Sequence, residues 1–209
     1  MLRLGLTGGI ASGKSAVAAM LREKGFSVLD ADSLAHKLIE PGQPAYTEVL
    51  AAFGTAVVSQ NGGVDRAKLG AIVFADPEKL KLLNAIVHPR VREAILRQFD
   101  EWQRNGIRDV AIVEAALLVE AGFTKDLDGL VVAWSTPEQQ LQRLVARGLT
   151  EAEAKRRIAA QLPVAVKLRE ATETIDCSGT LEETRSQVDA LAAKLRNNAK
   201  SAQSGNSRN

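Results

Sequence analysis

Residues Gly8-Gly9-Ile10-Ala11-Ser12-Gly13-Lys14-Ser15 match the spacing G-x-x-x-x-G-K-S. The match follows a short apolar run, Leu2–Leu6, and opens a helix-like pattern through Val17, Met20 and Leu21 that stops at Gly25. Each part has a chemical reason. Glycines let the backbone curl until successive N–H groups point inward, a concavity that receives phosphate oxygens. A helix starting near Lys14 adds the positive end of its dipole. Lys14 supplies a mobile ammonium for β- and γ-phosphates, and Ser15 a hydroxyl ligand for Mg²⁺. An ordinary Gly-rich turn is the plain alternative, but average composition gives such a match by chance roughly 1% of the time in a chain of this size. Strand before and helix after, this is an NTP-binding loop.

A second apolar run, Ser27-Val28-Leu29-Asp30, completes a strand–loop–helix–strand unit, which implies a parallel sheet. Buried-strand patterns resume at Val110–Glu114 and Leu130–Trp134, and Thr174-Ile175-Asp176 is a last short one. The class is α/β with a five-stranded parallel sheet. Residues 33–105 differ: helical periodicity and turn signals dominate, and they read as a helical insertion. Within it, Asp76-Pro77 is an N-cap followed by proline at the first helical position, and His88-Pro89 is expected to end one helix and begin another. Three capping boxes mark later helix starts, at Thr136–Gln139, Thr150–Glu153 and Thr180–Glu183. From Asn197 the chain is polar with no apolar face, and a disordered tail is expected over 197–209. The domain reading is a nucleotide-binding core of 1–32, 106–135 and 172–196, the insertion at 33–105, and a lid at 136–171.

Charge narrows the partners. The chain has 27 Lys+Arg and 25 Asp+Glu, a formal charge of +2. Lys194, Arg196, Lys200 and Arg208 all follow the last acidic residue, Asp189, and without those four the formal charge is −2. A nucleic-acid surface is therefore not expected. Glu114 and Glu120 interrupt the longest apolar candidate, so no membrane span is expected. One cysteine, Cys177, and two distant histidines, His36 and His88, give neither an internal disulfide nor a zinc site. A cytoplasmic location is the expectation.

Binding a nucleotide does not say what becomes of it. The Asn-Lys-x-Asp motif of guanine-reading switches is absent. A carboxylate pair, Asp30-Ala31-Asp32, stands at the end of the second strand, and strand carboxyl ends face the ligand in such sheets. A carboxylate there can take a substrate hydroxyl's proton or organise Mg²⁺. Asp32 is favoured for that role, with Asp30 structural; one of the two could instead be a helix N-cap. Arg143 and Arg147 share a helical face, with Arg156 and Arg157 further on. Arg143 is favoured as a lid arginine that stabilises the transferring phosphoryl group, and Arg156 as solvated.

With these residues in view, the sequence closely resembles the dephospho-coenzyme A kinase family from about residue 2 to residue 190. The resemblance is carried by Gly5–Ser15, by Val28-Leu29-Asp30-Ala31-Asp32 followed by Glu40-Pro41-Gly42, and by Leu83–Pro89, which ends in His-Pro. It continues through Leu117-Leu118-Val119-Glu120, Gln140–Leu144, Arg157–Gln161 and the last-strand elements Ile175-Asp176 and Ser178-Gly179. It implies a P-loop kinase core with a helical coenzyme A-binding insertion and a helical lid. It implies ATP and dephospho-coenzyme A as substrates, Mg²⁺ as cofactor, and phosphorylation of the ribose 3′-hydroxyl as the last step of coenzyme A synthesis. Carried over, Gly8, Gly9, Ile10, Ala11, Ser12, Gly13, Lys14, Ser15 and Ala16 bind ATP, Ser15 also facing the metal. Asp32, Lys14 and Arg143 become catalytic candidates, and Thr7, Asp32, His88 and Glu120 substrate-binding ones. A monomer is expected, with at most weak self-association. Rival readings are a kinase for another nucleoside or nucleotide, and a nucleotide-dependent regulator without phosphotransfer.

Three departures stand out. Ala11 replaces the family's usual Gly, which is harmless if φ stays negative there. Ala116 replaces the Pro of P-L-L, and Cys177 replaces an Asn after the last strand.

Overall fold

The computed structural model describes residues 1–107 and 109–206. Five strands, β1 (Leu2–Thr7), β2 (Ser27–Asp30), β3 (Val110–Glu114), β4 (Gly129–Trp134) and β5 (Glu173–Asp176), form one all-parallel sheet in the order β2-β3-β1-β4-β5. The apolar runs reappear as strands because helices cover both faces, so a strand need not alternate. All five β3 residues are buried. The chain moves from β1 out to β2, returns to β3, then crosses to β4. That route opens the loops after β1, β3 and β4 side by side at the sheet's carboxyl edge.

Helix α1 (Lys14–Glu23) buries Val17, Ala18, Met20 and Leu21 against the sheet. It ends as the sequence indicates: Gly25 adopts φ +85°, its N–H bonding Arg22 O while the Phe26 N–H bonds Leu21 O. The three capping boxes all form, and start α6 (Pro137–Ala146), α7 (Glu151–Ala159) and α9 (Leu181–Asn206). Between α7 and the last strand lies α8 (Val164–Glu170).

The chain divides into two compact units: one of Met1–Asp30 with the residues from Gln98 onward, and one of Ala31–Arg97. The second unit contains α2 (Ala31–Leu38), α3 (Tyr46–Phe53), α4 (Arg66–Val73) and most of α5 (Pro77–Arg104). Its own core includes Ile39, Val49, Val57, Leu69, Val73, Ile86 and Val87. Asp76 caps α5 through the Glu78 and Lys79 N–H groups, with Pro77 at the first position.

Two expectations are corrected. Helix α5 does not break at His88-Pro89 but runs through Pro89 to Arg104. Proline removes one helical hydrogen bond and costs about 3 kcal/mol in a helix interior. Burial of Ile86 and Val87 favours continuing, and Arg90 Nη1 donates to the Ile86 carbonyl at 2.6 Å while its guanidinium also pairs with Glu48. Likewise α9 stays helical past Asn197 to Asn206, because Val188, Leu191, Leu195 and Ala199 continue one buried stripe at helical spacing. The expected tail's residues 207–209 lie outside the described residues.

Candidate active site

The loop after β1 needs its glycines. Gly13, the N-cap of α1, has φ +104°, and a Cβ there would stand 2.7 Å from Cys177 Cβ. A Cβ on Gly8 would lie 2.2 Å from the Ala133 carbonyl oxygen. Any larger residue would push the loop off β4 or off the segment after β5.

Ala11 is the third special position, and the condition for a harmless methyl, a negative φ, is not met: φ is +57°, the only positive value at a non-glycine among the described residues. The methyl therefore sits in the left-handed region, at a cost of about 1–2 kcal/mol. The peptide is held there from outside. Arg143, on α6, donates Nη1 to the Ala11 carbonyl at 3.1 Å and Nη2 to the Cys177 carbonyl at 2.8 Å. One planar guanidinium thus ties the phosphate loop to the segment after β5, a geometry a lysine does not reproduce. Cys177 is buried beneath this junction, and burial pushes its thiol pKa up.

Lys14 Nζ lies 2.9 Å from Glu114 Oε1, and Arg22 Nη2 lies 3.2 Å from Oε2 of the same carboxylate. Glu114 ends β3 and is only 3% exposed, and its backbone is in register with Leu6 of β1 and Asp30 of β2. Lys14 and Arg22 thus converge on one buried anion at the mouth of the loop. Sequence reasoning gave Glu114 no role beyond breaking an apolar stretch. The available signal was a lone acid closing a buried strand.

Thr7 is fully buried, and its hydroxyl donates to the Ala116 carbonyl at 3.2 Å. Lys167 Nζ reaches the same carbonyl at 2.6 Å and Glu120 Oε1 at 2.8 Å. The replacement of proline by Ala116 thus keeps the group in use there, a backbone oxygen. Glu120 Oε1 also accepts the Leu162 N–H at 3.1 Å. Beside it, Gln161 Oε1 accepts the Ile10 N–H at 2.7 Å, inside the phosphate loop. Neither Lys167 nor Gln161 stood out as a site residue. Gln161 closes the family-like stretch Arg157–Gln161, whereas a lone lysine in the short helix α8 carries no signal.

The structure therefore gathers Thr7, the loop from Gly8 to Ala16, Glu120 and Arg143 in one unit. Asp32 and His88 belong to the other: Asp32 is exposed in the first turn of α2, and His88 is half-buried within α5. Arg147 and Arg156 are exposed, and Trp102 packs on Phe99. Among the described residues no group of three His, Cys, Asp or Glu side chains could hold a metal, and no helix is long and apolar enough to cross a membrane.

The fold and loop agree with what this chain is similar to. A protein of Geobacillus kaustophilus named dephospho-CoA kinase is 48% identical over 91% of this chain and 94% of its own length. The crystal structure of TT1252 from Thermus thermophilus aligns with a TM-score of 0.76 at 36% identity, covering 93% of this chain and 97% of that one. Dephospho-CoA kinase from Campylobacter jejuni aligns at 0.68 and 26% identity, over 94% and 98%. The family model described as dephospho-CoA kinase matches residues 2–183, and with a five-stranded parallel sheet and an intact phosphate loop the chain belongs to the dephospho-CoA kinase family.

Proposed function

We infer that this chain transfers the γ-phosphoryl group of ATP to the ribose 3′-hydroxyl of dephospho-coenzyme A, giving coenzyme A and ADP in the last step of coenzyme A synthesis. Support comes from the family match over residues 2–183 together with Lys14 held on a buried carboxylate at the mouth of an intact phosphate loop. A monomer with at most weak self-association is part of this reading.

Phosphoryl transfer needs little covalent help from protein; it needs alignment and charge stabilisation. Backbone N–H groups from Gly8 to Ala16 cradle the phosphates, and Lys14 exchanges Glu114 for phosphate oxygens. Ser15 and Glu114 offer oxygen ligands of the kind Mg²⁺ takes. An ion held there with ATP would supply charge neutralisation on the phosphates. Asp32 orients the 3′-hydroxyl and accepts its proton, and His88 contacts the acceptor. Arg143 stabilises the transferring group. Thr7 and Glu120 shape the acceptor wall through Ala116 and Leu162, which their side chains already engage.

A coupled ADP-release assay tests the reading. ADP should appear only when dephospho-coenzyme A is added, and not with nucleosides or nucleoside monophosphates. ADP formation indifferent to dephospho-coenzyme A would overturn it.

A further inference from the structure

One N–H of the phosphate loop is already occupied. The Ile10 N–H donates to Gln161 Oε1 at 2.7 Å, so a neutral carbonyl oxygen bonds a loop N–H of the kind that receives phosphate oxygens. Gln161 does not reach there on a free arm. Its neighbour Leu162 is fixed through its N–H to Glu120 Oε1, and that carboxylate is paired with Lys167, which is 0% exposed. Lys167 in turn is anchored on the Ala116 carbonyl that also accepts from Thr7 at the end of β1. The segment joining α7 to α8 is thus pinned at Leu162, and α8 itself at Lys167, to one turn after β3. Gln161 is aimed from that segment into the loop.

We propose that Gln161 is a competitive latch on the phosphate loop. Its carboxamide oxygen holds the Ile10 N–H in the nucleotide-free protein and yields it to a phosphate oxygen when nucleotide binds, with Glu120 and Lys167 as positioning residues. The exchange runs toward nucleotide because a bond to a charged phosphate oxygen is roughly twice as strong as one to a neutral carbonyl. Nucleotide binding then frees the α7–α8 junction from the loop, and every nucleotide bears the cost of breaking the latch.

The latch rests on the loop being a nucleotide site, as inferred above. It is tested on ATP binding by calorimetry, with amide hydrogen exchange at Ile10, in the wild type, Gln161→Ala and Gln161→Glu. Gln161→Ala should bind ATP about 2- to 10-fold more tightly, the range set by one neutral hydrogen bond. Its Ile10 amide should exchange faster than wild type without nucleotide and regain protection with ATP. Gln161→Glu, a stronger acceptor that also repels phosphate, should weaken ATP binding at least about tenfold. Glu120→Ala should move ATP affinity in the same direction as Gln161→Ala. Unchanged or weaker ATP binding by Gln161→Ala, or unchanged Ile10 exchange, overturns the latch; an opposite shift in Glu120→Ala overturns the positioning role. A wild type that binds ATP but does not phosphorylate dephospho-coenzyme A defeats the proposed function and leaves the latch standing.

Discussion

Lys14 Nζ lies 2.9 Å from Glu114 Oε1, so the ammonium of the phosphate loop rests on the residue that closes the neighbouring strand β3. Side-chain exposures of 11% and 4% mean that water screens the pair weakly, and Arg22 shares the same carboxylate. This fixes where positive charge waits before a phosphate arrives.

Glu114→Gln should destabilise the ligand-free protein by about 1.5–3 kcal/mol, the worth of hydrogen bonds to a charged group. Urea unfolding measures this, and saturating ATP should recover part of the loss because phosphate supplies Lys14 with a new anion. Unchanged stability would mean the pair contributes nothing.

Ala11→Gly should raise stability. The alanine's left-handed φ of +57° costs about 1–2 kcal/mol, and glycine's extra freedom when unfolded takes back about 0.4–1 kcal/mol. The net gain is about 0.5–1 kcal/mol, a rise in Tm of about 1–4 °C. A lower melting temperature would show that the loop is not strained at this residue.

Asp32→Asn should leave ATP affinity near that of the wild type and cut turnover with dephospho-coenzyme A by about 10²–10³-fold. Steady-state kinetics beside ATP calorimetry separates the two effects. Turnover close to wild type would remove Asp32 from the reaction.

Burial pushes the Cys177 thiol pKa up, with Asp176 adding to the effect, while a Thr184 hydrogen bond and Arg143 oppose it. The folded state thus holds the thiol proton more tightly than the unfolded chain. The stability this confers is complete below the ordinary thiol pKa of about 8.5 and is lost as pH rises from there toward the folded-state value. Unfolding free energy should fall across that alkaline window in the wild type and fall less in Cys177→Ala. Identical alkaline slopes would refute it.

What could be read from the sequence is what neighbours along the chain decide. The phosphate loop was legible because its curl, its helix dipole and its lysine are encoded in eight consecutive residues. The capping boxes were legible for the same reason: each is a reciprocal contact between residues three positions apart. Buried parallel strands announce themselves as short apolar runs. The strand order, by contrast, follows from how the crossovers pack.

The pairings Lys14–Glu114, Lys167–Glu120 and Ile10–Gln161 join residues 100, 47 and 151 positions apart, so no local pattern could signal them. Tertiary packing also overrode local propensity in the same way three times. Arg143 helps hold Ala11 at positive φ, the buried pair Ile86 and Val87 carries α5 through Pro89, and the buried stripe ending at Ala199 keeps α9 helical where composition alone favours a loose tail. In each case burial and long-range hydrogen bonds outweigh a local preference of one to three kilocalories per mole, and only the folded arrangement supplies them.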